Sequence, residues 1–248
     1  GGSASSRGER GRAPEGNAEG ARSTGVALRR SAPRREIGVP GGGVPCRPVS
    51  SPALPRSLID LTVLAVLGRF EALRAWRRSL VEPPGRAHRE ALLQVHLFAG
   101  FPRLVEAFGV LEECGGLGPI GPEELLGWPP DRGRGLELFG RIYAAQSAAV
   151  AGSLERFHPE LAEWVLGHAY GRVLSRPGLP GEQRELLAVA ALIATDQERQ
   201  LASHVRGAGR LGAGRADLEA LLAALAELLP ADQIERARRV VERFGPPA

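Results

Sequence analysis

The sequence predicts an all-α protein, a helical bundle in which one helical unit occurs twice. Three observations lead there. Apolar residues recur at helical spacing through most of the chain after residue 52, alternating strand patterns are nearly absent, and two stretches lie over one another at a constant offset. With 248 residues, 43% hydrophobic and 24% charged, the chain is in the ordinary globular range and long enough for one large domain or two small ones.

Residues 1–52 are rich in Gly, Ser, Pro and Arg, with too few apolar side chains to offset chain entropy, and are expected to be a disordered tail. From Ser57 the run Leu58, Leu61, Val63, Leu64, Leu67, then Leu73, Trp76 and Leu80, predicts two helices with a tight turn near Gly68. After Pro83-Pro84-Gly85 a helix is expected over 86–99, and Gly100-Phe101-Pro102 turns it into Leu104 to Leu111. A Gly/Pro-rich linker is expected over 114–135. An Ala-rich helix follows from Leu136 to Phe157, and His158-Pro159-Glu160 opens another to about Leu174. Arg176 to Gly181 is a stop, followed by the strongly apolar Glu182 to Ala194. Helices from Gln197, Ala216 and Asp232 complete the order.

The offset is 128 residues. Ser57 to Leu67 lies over Glu185 to Thr195, and Gly68 to Trp76 over Asp196 to His204; downstream, Glu90-Ala-Leu-Leu lies over Glu219-Ala-Leu-Leu with a slip of one. The copies are placed at 53–113 and 136–248, and two copies of one unit can bury their apolar faces against each other.

Charge excludes some partners. The chain has no Lys, so all 32 basic residues are Arg; nine stand with four Glu in the tail, leaving 23 against 24 acids elsewhere. A nearly neutral body without a basic stripe has little attraction for phosphate backbones, so no nucleic acid is expected. No apolar run reaches the roughly 18 residues of a membrane span, so no membrane partner is expected either. Cys46 and Cys114 form no Cys-x-x-Cys motif, which fits a reducing compartment, and a cytoplasmic location is expected. No metal and no cofactor are expected. His88 and His96, eight apart, would be about 12 Å apart along a helix. Gly-rich phosphate loops, nucleophile elbows and zinc spacings are absent.

The second copy, Arg184-Glu185-Leu-Leu through Ser203-His204-Val205-Arg206-Gly207-Ala208 with Gly212 and Glu219, resembles the carboxymuconolactone decarboxylase and alkylhydroperoxidase D superfamily. The first copy agrees. Its Arg89-Glu90-Ala-Leu-Leu-Gln94 and His96 to Arg103 resemble the helix and Gly-x-Pro turn that close the same domain. The resemblance covers about 55–112 and 136–230 and implies an all-helical fold of the alkylhydroperoxidase D type that assembles as a homo-oligomer.

It also implies where chemistry would lie. In the peroxidase branch a Glu is followed by two Cys and a His, at positions that here are Glu185, Gln197, Gln200 and His204. Peroxidase activity, as found in the superfamily, needs a thiolate and a resolving thiol, and Gln supplies neither. What remains suits proton transfer: Glu185 and His204 as the catalytic pair, Gln197 and Gln200 on the same helix face as substrate-binding groups. The decarboxylase branch is then the nearer model, with a small carboxylated or lactone substrate. Two blander readings stand beside it. An acid early in a helix is favoured by the dipole whatever its function, and His204 would serve equally as a core histidine in an inactive oligomeric binding or scaffold module. His168 and Tyr170 are read as packing residues.

Overall fold

A computed structural model of the chain describes residues 53–247; the expected tail at 1–52 lies outside the described residues. Helices α1 (Arg56–Leu67) and α2 (Phe70–Ser79) are joined at Gly68, whose φ of 64° sets the left-handed turn. Helix α3 (Arg86–Gln94) opens with Gly85 N–H donating to His88 Nδ1. Helix α4 (His96–Glu112) continues from it but breaks at Gly100 (φ 77°, ψ 167°), the residue before the Phe101-Pro102 turn. The short α5 (Pro122–Leu125) and α6 (Arg132–Tyr143) follow.

The uninterrupted helix expected over 136–157 is two helices. Ala144, at φ 49°, ends α6, a 3₁₀ turn spans Ala144–Gln146, and α7 covers Ser147–Phe157. Alanine is the best helix former, so its composition conceals the break. Helix α8 (Pro159–Glu163) passes directly into a π-helix, Trp164–Leu174. Helices α9 (Gly181–Ala194), α10 (Glu198–Leu211), α11 (Arg215–Ala226) and α12 (Ala231–Phe244) complete an all-helical architecture, with no strand among the described residues.

Helix α9 is the central helix among the described residues. Every residue from Gln183 to Ala194 is buried, and Leu58 to Val66 of α1 is nearly as enclosed, as befits helices apolar all round. The two pack on each other and on α3, α10, α11 and α12 in one apolar cluster drawn from both halves of the chain. The α9–α10 turn repeats the α1–α2 turn. Asp196 N donates to Ile193 O and Gln197 N to Leu192 O (2.9 Å), as Gly68 N does to Ala65 O and Arg69 N to Leu64 O (2.9 Å), and Asp196 has φ 56°.

Polar contacts tie the halves together at the foot of α9. Glu90 of α3 is fully buried and accepts from Arg176 Nε (2.9 Å) and Nη2 (3.0 Å) and from Arg184 Nη2 (2.8 Å). Arg184 also donates to the carbonyls of Arg176 and Pro177, and Gln94 Nε2 donates to Arg184 O (2.9 Å). Arg89 forks onto Glu124 of α5 (2.9 and 2.6 Å), and that guanidinium holds the Glu124 carboxyl at about 2.

A second, smaller apolar cluster lies between α6 and the π-helix, around Phe139, Ile142, Leu166, Tyr170 and Leu174. The two helices meet backbone to backbone. A Cβ on Gly135 would overlap the Leu166 carbonyl, and one on Gly171 the Asp131 carbonyl. This close crossing brings the aromatic residues of both helices up to α10.

Candidate active site

Glu185 and His204 come together. Glu185 lies in the second turn of α9 and is 1% exposed; His204 lies midway along α10 and is 12% exposed; His204 Nδ1 and Glu185 Oε2 are 2.9 Å apart. The first-turn acid of α9 is Glu182, so helix-end electrostatics does not account for Glu185. Its burial is made possible from the other side. A Cβ on Gly207, one turn beyond His204, would lie 2.7 Å from Glu185 Oε2 and 2.9 Å from Ile142 Cγ2.

An ionised carboxylate only accepts, so Nδ1 of His204 carries the proton and Nε2 presents its lone pair. Nε2 has no hydrogen-bond partner among the described residues. His204 lines a cavity of about 300 Å³, and Gln200, one turn earlier on α10, lines it too. The remaining wall is largely apolar and aromatic: Phe98 of α4, Phe139 and Tyr143 of α6, Val150 of α7 and Tyr170 of the π-helix. Phe98 presents its ring edge-on to His204 at 6.1 Å.

Tyr170 donates to the Tyr143 oxygen at 3.3 Å. Burial pushes the Tyr143 phenol up and the Tyr170 phenol well up, and the Glu185 charge adds to both. Both hydroxyls stay protonated at neutral pH. A polar hollow of about 460 Å³ adjoins the cavity, sharing Tyr143 and Val150 and lined otherwise by Gln146, Ser203, Arg206 and Arg210.

Gln197 is elsewhere. It precedes α10 as its N-cap, with φ −99° and ψ 66°, so the helix-face spacing that grouped it with Gln200 and His204 does not apply. Its amide donates to Thr195 O (3.1 Å), and it lines a separate small hollow with Asp196 and Gln233. At the corresponding positions of the first half, Ser57 Oγ meets His88 Nε2 at 3.0 Å and the buried Trp76 lies 6.2 Å from the same ring. No acid takes part there. The sequence carries no local mark for Phe98, Phe139 and Tyr143, and Tyr170, expected to serve packing, lines the cavity. Only proximity to an aromatic-bearing helix could have signalled them.

Comparison with known proteins adds to this geometry. Residues 159–243, which contain Glu185, Gln200 and His204, match the carboxymuconolactone decarboxylase family. The chain is similar to Peroxisomal protein 2 of Schizosaccharomyces pombe, at 32% identity over 130 residues, 50% of this chain and 60% of that protein. It is similar to a 4-carboxymuconolactone decarboxylase of Acinetobacter baylyi, at 33% over 70 residues, 28% of this chain and 52% of that enzyme. A Peroxisomal protein 2 of Saccharomyces cerevisiae is 30% identical over 88 residues, 35% of this chain and 31% of that protein. The chain thus spans less than two thirds of each of these relatives.

Proposed function

We propose that the chain performs acid/base chemistry on a small carboxylated or lactone substrate, with Glu185 and His204 as the reacting pair, a reading supported by the match of residues 159–243 to the carboxymuconolactone decarboxylase family. The single observation that carries this reading is the Glu185–His204 contact at 2.9 Å with Nε2 left for a cavity of about 300 Å³. In a decarboxylation the C–C bond to the carboxylate breaks, CO₂ leaves, and the electron pair stays on carbon as a carbanion or enolate. His204 in its imidazolium form, held by Glu185, delivers the Nε2 proton to that carbon. Gln200 and the tyrosine hydroxyls are the polar groups that would orient the substrate, and Arg206 and Arg210 in the adjoining hollow suit a charged group retained in the product.

The duplication belongs to the same proposal. The matching α1–α2 and α9–α10 turns, and the capping of Gly85 N–H by His88 and of Gly214 N–H by Asp217 (2.8 Å), support one unit used twice, at 53–113 and 136–248. The second copy alone retains the Glu/His pair. The small-molecule substrate, the homo-oligomer and the absence of nucleic acid are proposed with it. The names of the two fungal relatives favour a peroxisomal over a cytoplasmic setting, and among the described residues no helix is long and apolar enough to cross a membrane.

The test is turnover of a carboxylated γ-lactone in D₂O by the purified chain, read as CO₂ release and deuterium incorporation. His204→Gln should abolish both while leaving the melting temperature close to that of the parent, and Gln197→Leu should leave both intact. Binding without CO₂ release in the parent protein would favour the second reading, a binding module, which the apolar cavity wall also supports. A His204→Gln variant that loses stability and no ligand affinity would return the histidine to the core.

A further inference from the structure

The π-helix serves two cavities, and the second has no part in the chemistry above. On its other side, His168 Nε2 lies 2.8 Å from His96 Nε2 of α4, at the wall of a cavity of about 210 Å³. His96 is fixed in orientation: its Nδ1 meets Leu93 O at 2.6 Å, and its ring stacks on Phe101 at 4.7 Å between centroids, the planes 14° apart.

These contacts assign the protons. A carbonyl only accepts, so His96 carries hydrogen on Nδ1, and its Nε2 accepts from His168 Nε2–H. The chain of bonds runs in one direction and ends on His168 Nδ1. That atom has no partner among the described residues.

Charge around the cavity is of one sign. Arg172, one turn along the same π-helix, is exposed and makes no hydrogen bond or ion pair among the described residues. Arg176, after the π-helix, also lines the cavity, although its guanidinium is satisfied by Glu90 of α3. The lining holds no carboxylate. A dication between the histidines would face Arg172 with no acid ligand beside it, whereas an anion would find a cation and a basic nitrogen together. Leu93, Leu104, Phe101 and Val173 make the remaining wall apolar.

We propose that this cavity is a second ligand site, for a small monocarboxylate with an apolar body, whose carboxylate pairs with Arg172 and accepts from His168 Nδ1 once that nitrogen takes up a proton. With no anion present, burial and then the neighbouring His96 and Arg172 hold the His168 imidazole below its ordinary range. A bound carboxylate reverses the balance, so binding draws a proton from solvent and weakens as pH rises from 6 to 8. The groups facing His168 in that titration are His96 from α4, Arg172 on its own helix, and Arg176 with its Glu90 counter-ion.

Benzoate serves as the probe, titrated calorimetrically into the full chain at pH 6 and pH 8 in two buffers of different ionisation heat. Saturable binding at pH 6 with net proton uptake is expected. Arg172→Gln and His168→Gln should each weaken it about tenfold or more, the usual scale for a charge-assisted hydrogen bond, and His204→Gln should leave it unchanged. Arg172 is exposed and unpaired, so its variant folds even if the His168 variant does not. Absence of saturable binding at pH 6 overturns the proposal. So does affinity unaffected in Arg172→Gln, or lost in His204→Gln, which would put benzoate in the other cavity. Equal competition by inorganic phosphate would overturn the apolar-body requirement.

Discussion

Removing the Glu90 side chain tests how the two halves are held together. Its carboxylate accepts three N–H bonds from two arginines, and these differ in what they can do afterwards. Arg176, with 16% of its side chain exposed, can turn to water; Arg184, at 1%, cannot. Burial already pulls the Arg184 guanidinium down from its ordinary range against the pull of Glu90. Breaking a buried ion pair by deleting one partner costs about 3 to 5 kcal/mol. Arg184 keeps the Arg176 and Pro177 carbonyls as acceptors, so Glu90→Ala should fall at the lower end, about 3 kcal/mol. For a body of this size that is a drop in melting temperature of about 6 to 12 °C. Glu90→Gln keeps the shape and one acceptor oxygen and should lose less. Chemical denaturation followed by far-UV circular dichroism reads both. A Glu90→Ala loss below about 1 kcal/mol, the range of surface substitutions, would refute the claim that Arg184 depends on this carboxylate.

Four further outcomes are expected. Gly207→Ala, which in an exposed helix would add stability, should lower it here and weaken ligand binding at His204, because the new methyl meets Glu185 and Ile142; parallel thermal-shift and binding measurements decide. Glu124 is held at about 2 against an ordinary 4.5, so it contributes stability above pH 4.5 that is lost as pH falls through 2; Glu124→Gln should flatten the acid limb of a stability–pH curve in that window. Dithiol-dependent reduction of organic hydroperoxides should be absent, and turnover that survives Cys46→Ser and Cys114→Ser would contradict the proton-transfer reading. Light scattering at micromolar concentration should give an oligomeric mass, and a monomeric one would count against assembly.

The fold was legible where periodicity and punctuation coincide. The boundaries of α1, α2 and α9 to α12 follow from Gly68, Pro180-Gly181, Gly212 and Pro230, and the apolar runs between them say which helices lie at the centre. Glu185 and His204 were legible as a pair only through the family resemblance; the short turn between α9 and α10 is what brings them together in the fold. Gln197 was misplaced by one structural fact: its backbone is outside the helix whose spacing was applied to it. The aromatic wall was not legible, because Phe98, Tyr143 and Tyr170 reach the cavity from helices remote in sequence, and long-range packing leaves no local signal. The His96–His168 contact, across 72 residues, is of the same kind.

The π-helix bears on how the sequence can change over time. Its residues bond at i→i+5 rather than i→i+4 through the whole of Trp164–Leu174, so loss of one residue within it moves every later side chain back by one position in the helix. The cost would appear in side-chain direction. Everything on one side of the deletion would turn by about 100° relative to the other, the angular step of a helix residue. Tyr170 would then no longer face His204's cavity on the register that aligns His168 with His96. Length variation is commonly tolerated in loops; in this chain a single-residue gap here should be far more disruptive than one in the linker that precedes α6.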